Sequence, residues 1–459
     1  MAGVLISTSS KFIQSQLNSS FRPIYYLGCK NSFTAAIKSA INDVSPSGGR
    51  LVDLFAGTGS VGVALSSDRD VTTVDVQEYS RVLCAALLNP SNLTESELKS
   101  IVVCISGNEI TKKLFWCFQP LIDYEQQCIV SAINGDSNAL VELIESPPLA
   151  IRDTSKVENL SNRLNRASND TISRLQEVYL LGSATITTSR YFGGLYFSYA
   201  QSVMFDAILS FADSLNEQNC NTLKAAVLST ASQLVNTVGK QFAQPIQPRN
   251  KSGEVKPNLL RVVHRDRTLN ALDIYQVWLR KYASLPRTLG THKSLRQDYL
   301  EALNQHSSTF SVVYADPPYT RDHYSRFYHV LETMCLRDNP EISQVMKNGN
   351  LEPSRGAYRE YRHQSDFCIR STAPAAFESL FRKVRECDLP MVLSYSPYES
   401  NDGTHPRVVS MSQIIEIANQ YYNRIEVDLV DGITHNQLNR SGLKLKEREQ
   451  AEVLLKCYR

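Results

Sequence analysis

The sequence predicts an α/β protein in which a parallel sheet is interrupted by a large helical segment. Residues 51–62 have the pattern of a buried strand, a glycine turn and the start of a helix, the unit from which parallel sheets are built. Residues 70–75 and 311–315 are short runs typical of further strands. Residues 93–290 instead carry mainly helix-like apolar spacing, with Asn, Asp and Ser at helix starts.

The length of 459 residues exceeds that of a usual single domain, so we expect either two domains or one domain with a large insertion. One domain is expected to combine residues 1–92 and 291–459, and residues 93–290 are expected to form a mainly helical domain inserted into it. Residues 391–398 predict another parallel strand. Near the C-terminus, residues 424–429 and 452–457 predict an antiparallel pair.

The glycine turn after the first strand is the first candidate binding site. It begins at Asp53 and continues through Gly57 and Gly59, whose lack of a side chain lets the backbone approach a ligand. With Gly62, these glycines also fit the dinucleotide pattern G-x-G-x-x-G, a weak signal by itself. Asp53 argues against a dinucleotide because its carboxylate repels a pyrophosphate. It suits the cationic amino-acid end of S-adenosylmethionine instead.

The next strand also ends in an acid, Asp75. An acid about 20 residues past such a glycine loop can hold the hydroxyls of a ribose. The alternative is a surface aspartate at a strand end. Beside the glycine loop, the ribose interpretation is favoured.

The most informative stretch is Asp316-Pro317-Pro318-Tyr319, which follows the strand at residues 311–315. Two prolines cannot continue a sheet, so they form a rigid turn, and carboxylate and carbonyl oxygens are presented beyond the strand tip. These oxygens accept hydrogen bonds, and an exocyclic amine offers two N–H donors. Tyr319 adds a flat face for a heterocycle. The alternative is an ordinary strand ending in a Pro-Pro turn.

Together these motifs resemble those of the amino-group S-adenosylmethionine-dependent DNA methyltransferases, specifically the adenine N6 methylases of the α order. The resemblance rests on residues 53–59, 316–319 and 23–30, and covers the two ends of the chain rather than its middle. It implies a Rossmann-like methyltransferase mixed sheet with helices on both faces. It also implies S-adenosylmethionine as cofactor and methyl transfer to adenine N6 of a base flipped out of duplex DNA.

The resemblance also implies residue roles. The N-terminal motif supplies Tyr26 and Lys30 beside the methionine part of the cofactor, and Asp298 is the candidate for its adenine end, with Asp136 as a competing candidate. The full expected cofactor set is Tyr26, Lys30, Asp53, Phe55, Ala56, Gly57, Gly59, Asp75 and Asp298. The expected catalytic set is Asp316 and the Pro317 carbonyl as acceptors for the amine, Pro318 in the turn and Tyr319 stacked on the base.

Charge is distributed unevenly along the chain. The net charge is only +2, yet residues 249–296 contain eleven Lys and Arg against three acids. A basic stretch with interleaved aromatic residues is typical of a phosphate-contacting surface. The candidate residues are Lys251, Lys256, Arg261 and Arg265. A solvated helix face is the alternative.

A second basic stretch follows the Pro-Pro turn. Arg355, Arg359 and Arg362 lie in a Tyr-rich segment and are candidates for phosphate contacts near a flipped nucleotide. A salt-bridged surface explains them equally well.

The ten cysteines form no C-x-x-C pair and no zinc-like spacing, so we expect reduced thiols, no metal site and a cytoplasmic location. No apolar run approaches the length of a membrane span, so no membrane partner is expected. The expected partner is double-stranded DNA, and a partner protein from a restriction or phage-defence system remains open.

Three other functions remain open at this point. An RNA adenine methyltransferase could use the same Asp-Pro-Pro-Tyr turn. A nucleic-acid-binding subunit with a degenerate methylase fold is a second alternative, although the intact motifs argue against it. A nicotinamide oxidoreductase fits least, because it leaves the turn at Asp316 unexplained.

Overall fold

The computed structural model describes residues 21–25, 30–154, 160–319, 324–347, 349–396, 407–432 and 448–459. Tyr26, which the sequence analysis assigned to the cofactor, lies outside these ranges. The first helices and strands are α1 (Thr34–Val44), β1 (Leu51–Asp53), α2 (Ser60–Leu65), β2 (Val71–Asp75) and α3 (Glu78–Leu88).

The middle of the chain is helical, as its apolar spacing predicts. Its helices are α4 (Glu95–Gly107), α5 (Glu109–Ile133), α6 (Asn138–Glu145), α7 (Leu149–Arg152), α8 (Asn162–Glu177), α9 (Thr187–Phe192), α10 (Tyr199–Ala212), α11 (Glu217–Leu234), α12 (Leu259–Arg267) and α13 (Ala271–Ala283). Side chains accept hydrogen bonds from the first turns of several of them. Thr94 and Ser198 do so within reciprocal capping boxes at α4 and α10.

The last part of the chain returns to alternating strands and helices. Its elements are β3 (Lys293–Arg296), α14 (Tyr299–His306), β4 (Val312–Ala315), α15 (Tyr324–Phe327), α16 (His329–Leu336), β5 (Gln344–Lys347), β6 (Asn350–Pro353), α17 (Ala373–Glu386), β7 (Met391–Tyr395), α18 (Met411–Ala418), β8 (Ile425–Gly432) and β9 (Arg448–Cys457). The expected strand at residues 391–398 and the expected C-terminal pair are therefore confirmed as β7 and as β8 with β9.

Seven strands form one mixed sheet in the order β3-β2-β1-β4-β7-β9-β8. The first five strands in this order run parallel, and β9 pairs antiparallel with both β7 and β8. From β1 the chain moves outward to β2 and β3, whereas β4 and β7 lie on the other side of β1. The strand order thus reverses between β1 and β4, and ligands of open α/β sheets bind at such a point, outside the carboxyl ends of the strands.

Helices cover both faces of this sheet, as the fold class predicts. Alternate strand residues point to opposite faces, so Val52 and Val313 pack in one core with residues of α14, α17 and α18. Leu51 and Val312 pack in the other core with residues of α1, α2 and α3. By the same alternation, Asp53 lies on the face that α1 covers.

The chain divides into two compact units. The sheet unit comprises Tyr26–Pro90, Pro286–Ser325 and Arg362–Arg459, and the helical unit contains Ser91–Leu285. The ends of the middle segment differ from the expected ones by two and five residues, and one difference is larger. Residues 21–25 and Arg326–Tyr361, expected in the catalytic domain, lie in the helical unit.

The physical reason for this difference is the burial of α16. His329 of α16 is fully buried, and its ring lies 5.8 Å from that of Phe192, 5.7 Å from that of Tyr196 and 4.8 Å from that of Tyr358. The sequence did not reveal this packing. Because α16 begins only eleven positions after Pro318, it was expected to lie in the same domain as the Pro-Pro turn.

Membrane-spanning helices, metal sites and disulfide bonds were not expected from the sequence. No helix among the described residues is long and apolar enough to cross a membrane. Within the same residues, no group of three or more His, Cys, Asp or Glu side chains could hold a metal ion. Nine of the cysteines lie in the described part of the chain, and all nine are free thiols.

A close backbone approach fixes the corner between α9 and α10 in the helical unit. A Cβ atom on Gly193 would lie 2.7 Å from the Ser189 carbonyl oxygen and 2.7 Å from Cδ1 of Tyr199. Tyr199 is fully buried, so its ring has little room to move. The corner therefore requires glycine for space.

We expect Gly193→Ala to lower the free energy of unfolding by about 1–3 kcal/mol, because the added methyl group overpacks a buried corner. The control is Gly107→Ala at the exposed end of α4, where an added Cβ meets nothing within 4 Å. That change should be neutral or raise the unfolding free energy by about 0.4–1 kcal/mol. Urea unfolding followed by circular dichroism measures both, and equal stability of the two variants would contradict the packing argument.

Candidate active site

A cavity of ≈450 Å³ opens at the carboxyl ends of β1, β2 and β4, within the sheet unit. Most of the residues predicted to bind a cofactor line it, namely Lys30, Asp53, Phe55, Ala56, Gly57, Asp75 and Asp298. Gly59 is not among its described lining residues. The predicted catalytic residues Asp316, Pro317, Pro318 and Tyr319 line the same cavity. The structure thus brings together two motifs that are more than 200 residues apart in the chain.

The glycine loop is held by the acid at the end of the neighbouring strand. Gly57 and Gly59 adopt φ values of +54° and +76°, in the left-handed region that favours glycine. The Gly57 N–H donates to Oδ2 of Asp75 at 3.0 Å, and the Gln77 N–H donates to Oδ1 at 2.9 Å. Asp75 therefore tethers the loop in addition to facing the cavity.

Gly59 is restricted by space as well as by its backbone conformation. A Cβ atom there would lie 2.9 Å from the sulfur of Cys84, on the buried side of the loop. The two glycines that the sequence analysis grouped together thus differ in position. Gly57 lines the cavity, and Gly59 packs beneath it against α3.

Asp53 is a buried carboxyl group at the end of β1, with 1% of its surface exposed. Burial, followed by the negative charge of Asp316, raises its pKa to about 8. Its Oδ1 accepts a long hydrogen bond from the Phe55 N–H at 3.4 Å. A cation in the cavity would stabilise the ionised form.

Asp316 lies beyond the end of β4 and forms an ion pair with Lys30. Nζ of Lys30 is 3.2 Å from Oδ1 of Asp316 and 2.9 Å from Oε1 of Glu452. Burial alone would lower the pKa of Lys30, but the two carboxylates outweigh it and hold the pKa well above the usual value. Lys30 is therefore an ammonium ion between two acids.

The ring of Tyr319, which was assigned to base stacking, already has neighbours. The guanidinium of Arg407 lies 4.7 Å from its centroid and Nζ of Lys30 lies 5.4 Å from it. The Tyr395 ring contacts it at 5.0 Å between centroids, tilted by 60°. A base stacked on Tyr319 would compete with Arg407 for the ring.

An aromatic wall lines the other end of the cavity. Phe55, Tyr299 and Phe367 lie with ring centroids 5.4–5.7 Å apart. Asp298 stands next to Tyr299 and caps α14, accepting a hydrogen bond from the Leu300 N–H at 2.8 Å. The competing candidate, Asp136, lies in the helical unit, where it accepts a hydrogen bond from the Asn138 N–H.

The charge of the cavity is strongly asymmetric. Five acids line it, and among its described lining residues Lys30 is the only Lys or Arg. The acids are Asp53, Asp75, Asp298, Asp316 and Asp366. Such a cavity favours a cationic ligand and disfavours a pyrophosphate.

The first group of predicted nucleic-acid residues lies in the helical unit. Lys251 and Arg261 are exposed, and Lys256 is half-buried. Arg265 is exposed but donates from Nε and Nη2 to both oxygens of Asp266, each at 2.8 Å. Part of the positive charge counted in this stretch is therefore neutralised locally.

The second group is more strongly bound within the protein. Arg359 forms a bidentate pair with Asp338, with contacts of 2.7 and 2.5 Å, and Arg355 donates to the carbonyl oxygen of Ile246. Arg362 is half-buried and belongs to the sheet unit. For Arg359 the salt-bridged alternative describes the observed contacts.

Two cavity residues and one partner of Lys30 were not found from the sequence. Tyr299 and Phe367 complete the aromatic wall, and Glu452 shares the Lys30 ammonium. Tyr299 directly follows Asp298, which is a usable signal. Glu452 lies in the last strand of the sheet, and nothing in the local sequence connects it with residues 30 or 316.

Comparisons with known proteins concern the first half of the chain. Residues 26–238 match the family of D12 class N6 adenine-specific DNA methyltransferases. This match includes the glycine loop and Asp75, and it ends before Asp316. The chain is also 28% identical over 188 residues to the modification methylase LlaI of Lactococcus lactis subsp. lactis, covering 39% of this chain and 26% of that protein.

The chain thus spans about a quarter of the length of the curated relative that it matches. The structure has the mixed, mostly parallel sheet flanked by helices that the resemblance implied. The resemblance to adenine N6 DNA methyltransferases is therefore confirmed, with residues 26–238 matching the D12 class.

Proposed function

We propose that this protein is a site-specific DNA methyltransferase that transfers a methyl group from S-adenosylmethionine to N6 of an adenine flipped out of duplex DNA. The observation that carries the proposal is the placement of Asp316 and the glycine loop in one cavity. One motif suits an amine acceptor and the other a cationic cofactor. The similarity of residues 26–238 to D12 class adenine methyltransferases supports it.

The residues of the cavity fit S-adenosylmethionine. Asp53 offers a carboxylate to the cationic amino-acid end, and Asp75 and Asp298 offer acceptors for hydroxyl and amino groups. Phe55, Tyr299 and Phe367 offer an apolar aromatic wall for a heterocycle. Five acids beside one ammonium favour a ligand that carries a sulfonium charge.

When bound, the cofactor supplies an electrophilic methyl group: the nitrogen lone pair bonds the methyl carbon, and the electrons of the carbon–sulfur bond remain on sulfur. Asp316 and the Pro317 carbonyl accept the two N6 hydrogens, which orients the lone pair and stabilises the positive charge that develops on nitrogen. The proton lost from nitrogen passes to Asp316 and then to water. The rigid Pro317-Pro318 turn keeps these oxygens in place.

Two alternatives are distinguished by measuring methyl transfer to duplex DNA and to RNA. An RNA adenine methyltransferase would use the same cavity, and a degenerate methylase subunit would bind nucleic acid without transferring a methyl group. The negative cavity argues against a nicotinamide oxidoreductase, because a dinucleotide carries a pyrophosphate.

The direct test is expression of the protein in a bacterial host that lacks adenine methylation, followed by sequencing that detects N6-methyladenine. Modification at one short sequence supports the proposal and identifies the recognition site. Purified protein is then given radiolabelled S-adenosylmethionine with duplex DNA or RNA. Transfer to RNA alone would favour the RNA alternative, and no transfer to either would favour the degenerate subunit.

The name of the similar Lactococcus protein is that of a modification methylase. A role in restriction-modification or phage defence, in the cytoplasm, follows for this chain as part of the proposal. A partner restriction protein belongs to the same proposal. Its test is whether DNA methylated by this enzyme resists cleavage by a restriction activity from the same cells.

For the nucleic-acid surface we propose Lys251, Lys256, Arg261 and Arg265, of which the first three are the strongest candidates. Arg265 is already paired with Asp266, and Arg359 with Asp338. Arg355 and Arg362 are retained as secondary candidates. Phosphate contacts by Lys and Arg position a duplex without reading its sequence.

We expect Asp316→Ala to lower kcat by about 100-fold or more, because the amine loses its charged acceptor. Affinity for S-adenosylmethionine should change little, since Asp53 and the glycine loop remain. Single-turnover methylation and calorimetric titration with the cofactor measure the two quantities. Near-normal turnover in Asp316→Ala would exclude this residue as the acceptor.

We expect binding of S-adenosylmethionine at pH 7 to release close to one proton from Asp53. Its pKa of about 8 keeps it mainly protonated in the free protein at that pH, and a bound cation favours the ionised form. The release should disappear above pH 9, where Asp53 is already ionised. Calorimetry in two buffers with different ionisation enthalpies measures the number of protons.

Asp53→Asn should weaken cofactor binding about tenfold or more, because the amide carries no negative charge to pair with a cation. It should also abolish the proton release, because the amide does not titrate. Asp136→Asn in the helical unit, the matched control, should change neither quantity. Unchanged affinity and proton release in Asp53→Asn would indicate a different ligand or a different binding residue.

We expect the triple variant Lys251→Ala, Lys256→Ala and Arg261→Ala to bind DNA more weakly and with a flatter salt dependence, because each lost phosphate contact releases about one counterion fewer. The control removes three exposed lysines elsewhere in the helical unit, Lys99, Lys112 and Lys113. DNA affinity at several salt concentrations measures the slope. Identical slopes in wild type and the first variant would mean that recognition lies elsewhere.

A further inference from the structure

A row of buried polar side chains, joined by ion pairs and a hydrogen bond, connects the Pro-Pro turn to β9. Lys30 contacts Asp316 at 3.2 Å and Glu452 at 2.9 Å, and Ser394 Oγ donates to the same Glu452 oxygen at 2.9 Å. All four residues belong to the sheet unit. Lys30 is 3% exposed, and Glu452 and Ser394 have no exposed surface.

Glu452 occupies a position where the fold itself favours an apolar side chain. Its neighbours on β9, Val453, Leu454 and Leu455, are buried core residues. Burying a carboxylate is unfavourable unless it is well paired, and an apolar replacement of a buried ion pair is often neutral or stabilising. Packing alone therefore does not account for an acid at this place.

The arrangement does have a consequence for Asp316. If Lys30 were paired with Asp316 alone, its ammonium would neutralise the carboxylate and occupy its acceptor sites. Glu452 takes a share of the ammonium at the shorter distance, so the three groups together carry one net negative charge. That charge is opposite in sign to the one that develops on a nitrogen as it is methylated.

We propose that Glu452 is a positioning residue for methyl transfer, which holds Lys30 so that Asp316 remains available as an acceptor for the target amino group. This proposal rests on the proposed function, because it assigns Asp316 to an amine. Glu452 acts through Lys30 and need not touch the base. Ser394 fixes the shared oxygen of Glu452 by donating its hydroxyl hydrogen.

The main test compares Glu452→Gln with wild type on duplex DNA carrying the recognition site that sequencing identifies. The amide keeps the size of the side chain and removes its charge. We expect kcat to fall about 10- to 100-fold, because Asp316 then orients the target amine less well. Cofactor affinity should stay within about twofold of wild type. Glu426→Gln, a partner of Lys456 on the adjacent strand β8, is the matched control and should retain wild-type kcat.

A second readout does not depend on turnover. Without cofactor, wild type should bind a duplex with adenine at the target position about tenfold more tightly than one with purine, which lacks the amino group. This preference should shrink in Glu452→Gln, because the Lys30 ammonium then loses its second carboxylate and pairs more strongly with Asp316. A change that merely loosened the fold would weaken binding to both duplexes alike.

A double variant keeps the test decisive if the single amide variant does not fold. Lys30→Met combined with Glu452→Gln removes both charges together. Because Glu452 acts through Lys30, the double variant should have the same kcat as Lys30→Met alone. A lower kcat in the double variant would overturn the proposal.

The outcomes separate this inference from the proposed function. Wild-type kcat and an unchanged adenine preference in Glu452→Gln, beside an active wild type, overturn the inference alone. A wild-type protein that methylates neither DNA nor RNA overturns the proposed function and this inference with it. Loss of kcat in Glu452→Gln with retained cofactor binding supports both.

Discussion

The parallel pairing of β1 with β4 is the constraint on which the rest of the site depends. Leu51 pairs with Val312 and Asp53 with Tyr314, so the two strands end together. Because the chain order reverses between them, their carboxyl ends lie at the point of the sheet where open α/β proteins bind ligands. The glycine loop and the Pro-Pro turn therefore face one cavity, although a helical unit separates them in sequence.

Bringing these motifs together places Asp53 near Asp316, and the electrostatics of the cavity follow from that. Burial and the second carboxylate make ionisation of Asp53 unfavourable in the free protein. Lys30 offsets part of the negative charge of Asp316, and its ammonium also pairs with Glu452. Among the described lining residues the cavity has more acids than bases, which favours a cationic ligand.

In the helical unit, positive charge is used inside the protein as well as on its surface. Arg267 is fully buried and pairs with Glu125 at 2.9 Å, and Arg265 is held by Asp266. A count of Lys and Arg along the chain therefore overstates the charge offered to a phosphate backbone. Lys251 lies in a turn and Arg261 on a helix of the same unit, and both side chains are exposed.

The sequence by itself determined the elements and the chemistry that each strand end carries. Alternation and glycine placement predicted β1, β2, β4 and the C-terminal antiparallel pair, because these features depend on local backbone preferences. It also placed Asp53, Asp75 and Asp316 at the ends of predicted strands, and the resemblance assigned them to the cofactor and catalytic sets. Only the tertiary structure placed α16 in the helical unit, added Tyr299 and Phe367 to the cavity and paired Lys30 with Glu452. These contacts join residues up to 422 positions apart, and side-chain packing over such separations leaves no periodic signal in the sequence.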